Sequence, residues 1–224
     1  MKLMQLLAVG AIVLTAPAAL ADKKSEAYVE AQANAVLKVL NDKTLTSDER
    51  SAKFADYMHK FAYMPDIARR VLGAQGRSLS EAQFDRYYKT FEEYATEVYQ
   101  AQLDEFRGES IKVVGSTDPA PRRSQVNTLI KSTESGKDIQ VVWDVLQSKD
   151  GQTYRVRDVG INLDGSVIWL AQDQQAQFES FLDRNNGDID KLIDRIKQMI
   201  ADMRERAKAG AASTLAKSTS KNPG

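Results

Sequence analysis

The spacing of apolar residues changes twice along the chain. Before Gly108, apolar residues recur every three or four positions, as in residues 26–40, which is the spacing of one helical face. The capping-box sequences Thr46–Glu49 and Ser80–Gln83 predict the first turns of two further helices. After Gly108 the apolar spacing becomes two, and helical spacing returns near Phe178. The pattern therefore predicts helices, then strands, then helices.

The period-two region has the features of a β-meander. Apolar and polar residues alternate through residues 123–133 and again through 139–145. Asp150-Gly151 is a strong hairpin signal and leads into a further strand from Tyr154 to Ile161. Consecutive strands joined by short turns predict an antiparallel sheet of about four strands. Because the helices precede and follow the strands, the fold class is α+β.

The longest predicted helix, residues 81–106, carries an unusually aromatic stripe. Its apolar positions are Phe84, Tyr87, Tyr88, Phe91, Tyr94, Ala95, Val98, Tyr99, Leu103 and Phe106. Two interpretations remain open on sequence alone. The stripe packs as ordinary core against a sheet, or part of it lines a cavity for a long apolar ligand.

The two ends of the chain differ from its middle. Residues 1–21 combine Lys2, an apolar run from Leu3 to Ala16 and a small-residue ending at Ala19-Leu20-Ala21, the layout of a cleaved secretory signal peptide. An uncleaved membrane anchor is the alternative, and the charged residues after Ala21 favour cleavage. Residues 22–207 then form one domain. Residues 208–224 are small and polar, which predicts a disordered tail.

Composition limits the chemistry. Thirty-one basic residues balance 31 acidic ones, whereas a nucleic-acid-binding protein normally has a basic surface. Cysteine is absent and histidine occurs once, so no thiol nucleophile or thiolate metal site is available, and we expect no metal and no cofactor. No sequence cluster requires catalysis. A small-molecule enzyme on a similar fold remains the weaker hypothesis.

Several ordered motifs resemble one family. The segment Tyr154–Leu163 (YRVRDVGINL), then Gln177-Phe178 and the segment from Gly187 to Ile193, are similar in order and spacing to motifs of the MlaC/toluene-tolerance family. The resemblance covers about residues 26–200. Gln175 stands where the family usually has arginine, and Asn162 replaces a usual serine.

The resemblance implies a function as well as a fold. Members of this family are periplasmic phospholipid-binding components of the Mla lipid transport pathway, with helices and a curved sheet around an apolar pocket. They pass lipid between an MCE-domain ABC transporter at the inner membrane and an outer-membrane lipoprotein–porin complex, which maintains outer-membrane lipid asymmetry. A non-catalytic carrier is therefore expected. A hopanoid or another apolar molecule is the alternative cargo.

The expected pocket wall combines the inward set of strand residues with part of the aromatic helix. These residues are Phe91, Tyr94, Val98, Val126, Thr128, Ile130, Val141, Trp143, Val145 and Val156.

Overall fold

The computed structural model describes residues 22–104, 110–131 and 138–220, and the predicted signal peptide lies outside them. The helices are α1 (Lys23–Leu40), α2 (Ser47–Phe61), α3 (Met64–Val71), α4 (Glu81–Asp104), α5 (Leu170–Arg184) and α6 (Ile189–Ser220). The strands are β1 (Ile111–Ala120), β2 (Arg123–Lys131), β3 (Asp138–Gln147), β4 (Tyr154–Leu163) and β5 (Ser166–Trp169).

Both predicted capping boxes form. The Thr46 hydroxyl accepts from the Glu49 backbone N–H, and the Glu49 carboxylate accepts from the Thr46 N–H at 2.8 Å. Ser80 and Gln83 make the same reciprocal pair at the beginning of α4. Each box satisfies backbone donors that a helix leaves unpaired in its first turn.

The strands form an antiparallel meander in the order β1-β2-β3-β4-β5, five strands within the described residues. The predicted α+β class is confirmed, and the sheet has one strand more than the four expected. The additional strand β5 follows a tight turn at Asp164-Gly165, where both residues have positive φ. At four residues it is too short to show a clear alternation in the sequence.

The C-terminal helix extends further than the composition indicates. The backbone of α6 is helical to Ser220, through most of the segment for which the sequence predicts a disordered tail. Alanine and lysine, frequent in residues 207–217, have high intrinsic helix propensity, which accounts for the difference. Residues 221–224 lie outside the described residues.

The buried apolar residues divide into two groups. The first, which we call the sheet cluster, joins α1 and α2 to one face of the sheet and comprises Val29, Ala33, Val36, Leu37, Leu40, Phe54, Phe61, Ile111, Val126, Ile130, Val141, Trp143, Val145 and Val156. The second, the helical cluster, joins α3, α4, α5 and α6 and comprises Ala62, Met64, Ile67, Ala68, Val71, Leu72, Phe84, Tyr87, Phe91, Tyr94, Ala95, Ala171, Phe178, Leu182, Ile189, Leu192, Ile193, Ile196 and Ile200.

No helix in the described parts of the chain combines the length and the hydropathy that crossing a membrane would require.

Candidate functional site

An apolar cavity of about 80 Å³ lies inside the sheet cluster, between the α1–α2 pair and the sheet. We call it the main cavity. Asp158 is the one charged residue among the described residues of its wall. The wall consists of Ala33, Val36, Leu37, Phe54, Met58, Phe61, Ala62, Ile67, Ile111, Ile130, Val141, Trp143, Val156, Asp158, Val159, Ile161 and Leu170. A surface of this composition binds hydrocarbon and offers little to a polar ligand.

Four of the expected strand residues line the main cavity: Ile130, Val141, Trp143 and Val156. The other three, Val126, Thr128 and Val145, are buried in the same sheet but are not part of the cavity wall.

One of those three, Thr128, supports the wall indirectly. Its hydroxyl accepts from the Trp143 indole N–H at 2.9 Å and donates to the Val141 carbonyl at 3.1 Å. The hydroxyl therefore satisfies the buried indole donor and fixes the orientation of the ring. On its other side, the Trp143 ring makes an edge contact with Phe61, with centroids 5.5 Å apart.

The three expected residues from α4 lie elsewhere. Phe91, Tyr94 and Val98 line a second cavity of about 160 Å³, between α3, α4 and α5, which we call the side cavity. Phe91 and Tyr94 belong to the helical cluster, where both rings pack against Phe178 at 6.5 and 6.0 Å. The structure thus does not bring the aromatic helix into the main cavity. The two cavities are nevertheless adjacent, since Ile67 and Leu170 line both.

Sequence reasoning missed the helical wall of the main cavity. Residues Val36 and Leu37 from α1, and Phe54 and Phe61 from α2, face the strands across it. Their apolar spacing was visible, but a helical stripe indicates only that a face is buried and not which surface it covers. The α4 residues that the sequence suggested line the side cavity instead, and their role in lipid binding stays a prediction.

Asp158 lies at the margin between the main cavity and a polar surface on the sheet. Its Oδ1 accepts from the Val159 and Ala171 backbone N–H groups at 2.8 and 2.9 Å. Burial raises the pKa of this carboxyl above its usual value, although the two hydrogen bonds oppose the shift. Asp144 is the residue of β3 that lies opposite Asp158 of β4. Its two carboxylate oxygens accept from the Arg123 guanidinium at 2.7 and 3.2 Å.

Polar and titratable side chains are few around the main cavity. In the described portion of the chain, no group of three or more His, Cys, Asp or Glu residues is arranged to hold a metal ion. The single histidine, His59, lies on the surface 46% exposed and contacts Glu92 at 3.2 Å. The described residues enclose an apolar space with few polar atoms, next to a larger and more polar one.

Comparison with known proteins gives three results. The family model described as MlaC protein matches residues 30–198, most of the domain. A solved structure of a phospholipid-binding protein from Ralstonia solanacearum, in complex with a phospholipid, superposes with a TM-score of 0.66 at 16% identity, covering 80% of this chain and 98% of that one. A search of curated proteins found no match. The family resemblance seen in the sequence motifs is confirmed by the match over residues 30–198: this chain belongs to the MlaC family.

Proposed function

We propose that this protein is a non-catalytic phospholipid carrier that holds acyl chain in the main cavity. The observation that carries the proposal is the nearly uniform apolar wall between α1–α2 and the sheet. The structurally similar Ralstonia protein was solved with a phospholipid, which supports the same class of cargo here.

The physical reason for a carrier is the cost of exposing lipid to water. A two-chain phospholipid has roughly thirty methylene groups, and at about 0.8 kcal/mol each their burial is worth on the order of 20 kcal/mol. A carrier that covers even one chain removes much of this barrier to transfer. The carrier needs no reactive groups, which agrees with the composition of the wall.

The size of the main cavity indicates that loading requires movement. At about 80 Å³ it is smaller than a cavity of ~150 Å³ that accommodates one benzene molecule. An acyl chain therefore enters only when α1 and α2 move away from the sheet. One polar contact holds α1 to the sheet, since the Tyr154 hydroxyl of β4 donates to Asp22, the N-cap of α1, at 3.0 Å. A second joins the two helices to each other, since the Tyr28 hydroxyl of α1 donates to the Phe61 carbonyl of α2 at 3.0 Å.

The cellular setting follows from family membership and from the predicted signal peptide. We propose that the mature protein works in the periplasm. There it receives or delivers lipid at an MCE-domain ABC transporter of the inner membrane and at a lipoprotein–porin complex of the outer membrane. This exchange maintains the lipid asymmetry of the outer membrane.

Native mass spectrometry of the purified mature protein, followed by organic extraction and lipid identification, tests the proposal. Phospholipid bound at a fixed stoichiometry is the expected result. A hopanoid or another apolar molecule would keep the cavity but change the cargo. A protein that purifies empty and takes up no lipid from phospholipid vesicles would contradict the carrier function.

The substitution Val141→Glu then tests whether the lipid binds in the main cavity. Val141 is 5% exposed and lines the main cavity. A carboxylate there is expected to reduce the amount of bound lipid by about tenfold or more, because a charge is costly to bury against an acyl chain. The matched control is Val114→Glu, at a residue that is 49% exposed on β1. Unchanged lipid content in folded Val141→Glu would remove the main cavity from the binding site.

A further inference from the structure

The main cavity and the side cavity are chemically different although they adjoin. Ile67 of α3 and Leu170 of α5 form part of both walls, so these two side chains stand at the junction. Beyond the junction, one side of the side cavity is polar and is formed by Asp173, Gln174 and Gln177 of α5. An apolar space next to a mixed one matches a molecule that is apolar at one end and polar further along.

Gln174 has an unused hydrogen-bond donor. Its Oε1 accepts from the Tyr94 hydroxyl at 2.5 Å, and both residues belong to the wall of the side cavity. Its Nε2 is buried and has no hydrogen-bond partner within the described residues. Buried donors are normally paired in folded proteins, so this unpaired donor, in a residue of the cavity wall, points to an acceptor that comes from a bound molecule.

The group that would complete this hydrogen bond is an acceptor oxygen, since the free position of Gln174 is a donor. Tyr94 has already taken the amide oxygen, and the free position of Gln174 is an N–H donor. In a phospholipid, the ester carbonyl oxygens are such acceptors, and they lie where the acyl chains join the glycerol. This is the point of the molecule at which apolar character ends.

We propose that the side cavity holds the ester-linked glycerol region of the phospholipid whose acyl chain occupies the main cavity. The chain passes the junction between Ile67 and Leu170, and Gln174 Nε2 donates to an ester carbonyl oxygen. Gln174 is then a specificity-determining residue that selects ester-linked over ether-linked lipids. This inference rests on the proposed carrier function and adds a chemical requirement to it.

A competition between two lipids tests the inference. The full mature protein is incubated with vesicles that contain equal amounts of diester phosphatidylethanolamine and its diether analogue with the same chains. Native mass spectrometry then gives the ratio of the two bound species. The ether lacks the carbonyl, and one neutral hydrogen bond corresponds to a preference for the ester of roughly three- to tenfold.

Two variants assign the preference to a residue. Gln174→Leu is expected to bring the ester-to-ether ratio close to one. The control Gln177→Leu, on the same helix and in the same cavity, removes an amide whose Nε2 already donates to Asp173 at 2.8 Å, and it is expected to keep the wild-type ratio.

The outcomes separate the two proposals. Wild-type protein that takes up both lipids equally overturns the role of Gln174 and leaves the carrier function intact, a result that needs no variant to fold. A preference that survives in Gln174→Leu overturns the assignment to this residue. Wild-type protein that takes up neither lipid overturns the carrier function itself.

Discussion

The sheet cluster and the helical cluster are both built from buried apolar side chains, yet they pack differently. In the helical cluster, a succession of rings fills the centre: Phe84 to Tyr87 at 6.2 Å, Tyr87 to Phe91 at 5.6 Å, and Phe91 to Phe178 at 6.5 Å. In the sheet cluster, the space between two helices and the strands contains the main cavity.

The difference shows that an apolar stripe does not determine whether the space it faces is filled. Where helices cross helices, aromatic side chains interdigitate around Tyr87, which has no exposed surface, and the remaining space is the side cavity, whose wall is partly polar. Where helices cover the sheet, small and branched residues such as Ala33 and Val36 lie opposite the side chains of the strands, and the main cavity remains between them. The almost wholly apolar space arises from the second arrangement.

Matched leucine truncations should give the largest contrast. Leu192→Ala in the helical cluster is expected to lower the free energy of unfolding by about 4 kcal/mol, because Leu192 is fully buried among tightly packed neighbours. Leu37→Ala in the wall of the main cavity should cost about 2 kcal/mol, since part of that side chain faces empty space. Urea unfolding of delipidated protein measures both. Equal losses would mean that the two clusters are equally well packed.

Enlarging an alanine should produce opposite signs in the two clusters. Ala68→Leu is expected to destabilise the protein by about 2 kcal/mol, because Ala68 is completely buried in the helical cluster. Ala33→Leu places the new methyl groups in the main cavity, and it should stabilise the lipid-free protein by about 1 kcal/mol while lowering its lipid content. Thermal unfolding and lipid extraction check the pair, and destabilisation by Ala33→Leu would argue against a usable space there.

Removing one hydroxyl tests how the cavity wall is held. Thr128→Val keeps the side-chain shape but leaves the buried Trp143 indole N–H without its acceptor, which should cost about 1.5 kcal/mol. The comparison in the helical region is Thr90→Val, whose hydroxyl donates at 3.3 Å to the carbonyl of Arg86, and this change should cost about 0.5 kcal/mol. Urea unfolding would reveal a similar loss in both variants if the indole bond were unimportant.

The smallest expected effect concerns pH. Burial raises the pKa of Asp158 above its usual 3.8, so the folded state binds more protons than the unfolded state between 3.8 and the raised pKa. The contribution of Asp158 to stability is therefore fully present at low pH and declines as pH rises through that window. Relative to Asp158→Asn, the wild-type protein should be less stable at pH 7 than at pH 4. Urea unfolding at the two pH values measures this, and a difference of the opposite sign would contradict the shift.

Sequence alone predicted the order of elements and much of one cavity wall. Alternation in β2, β3 and β4 identified the buried strand face, because a side-chain period of two leaves little ambiguity about which residues share that face. Ile130, Val141, Trp143 and Val156 line the main cavity, and their contact with lipid stays a prediction. The capping signals located the beginnings of α2 and α4 for an equally local reason.

The opposing wall depends on tertiary contacts. Nothing local to α1 or α4 indicates which of them covers the sheet, because large rings fill space as readily as they border it. Gln174 was also unpredictable. Its importance comes from a Tyr94 hydroxyl contributed from 80 positions away and from the lack of a partner for its amide nitrogen in the described structure.

The position of Trp143 gives the protein its own optical readout. The sequence has two tryptophans, and Trp143 forms part of the main cavity wall, whereas Trp169 lines a separate polar pocket. In a Trp169→Phe background, emission from the indole of Trp143 would report directly on what touches it. Acyl chains brominated at successive carbons would quench that emission most strongly at the depth where the chain passes the ring. Cargo arrival and departure at a donor or acceptor membrane would then be followed in real time without attaching a dye.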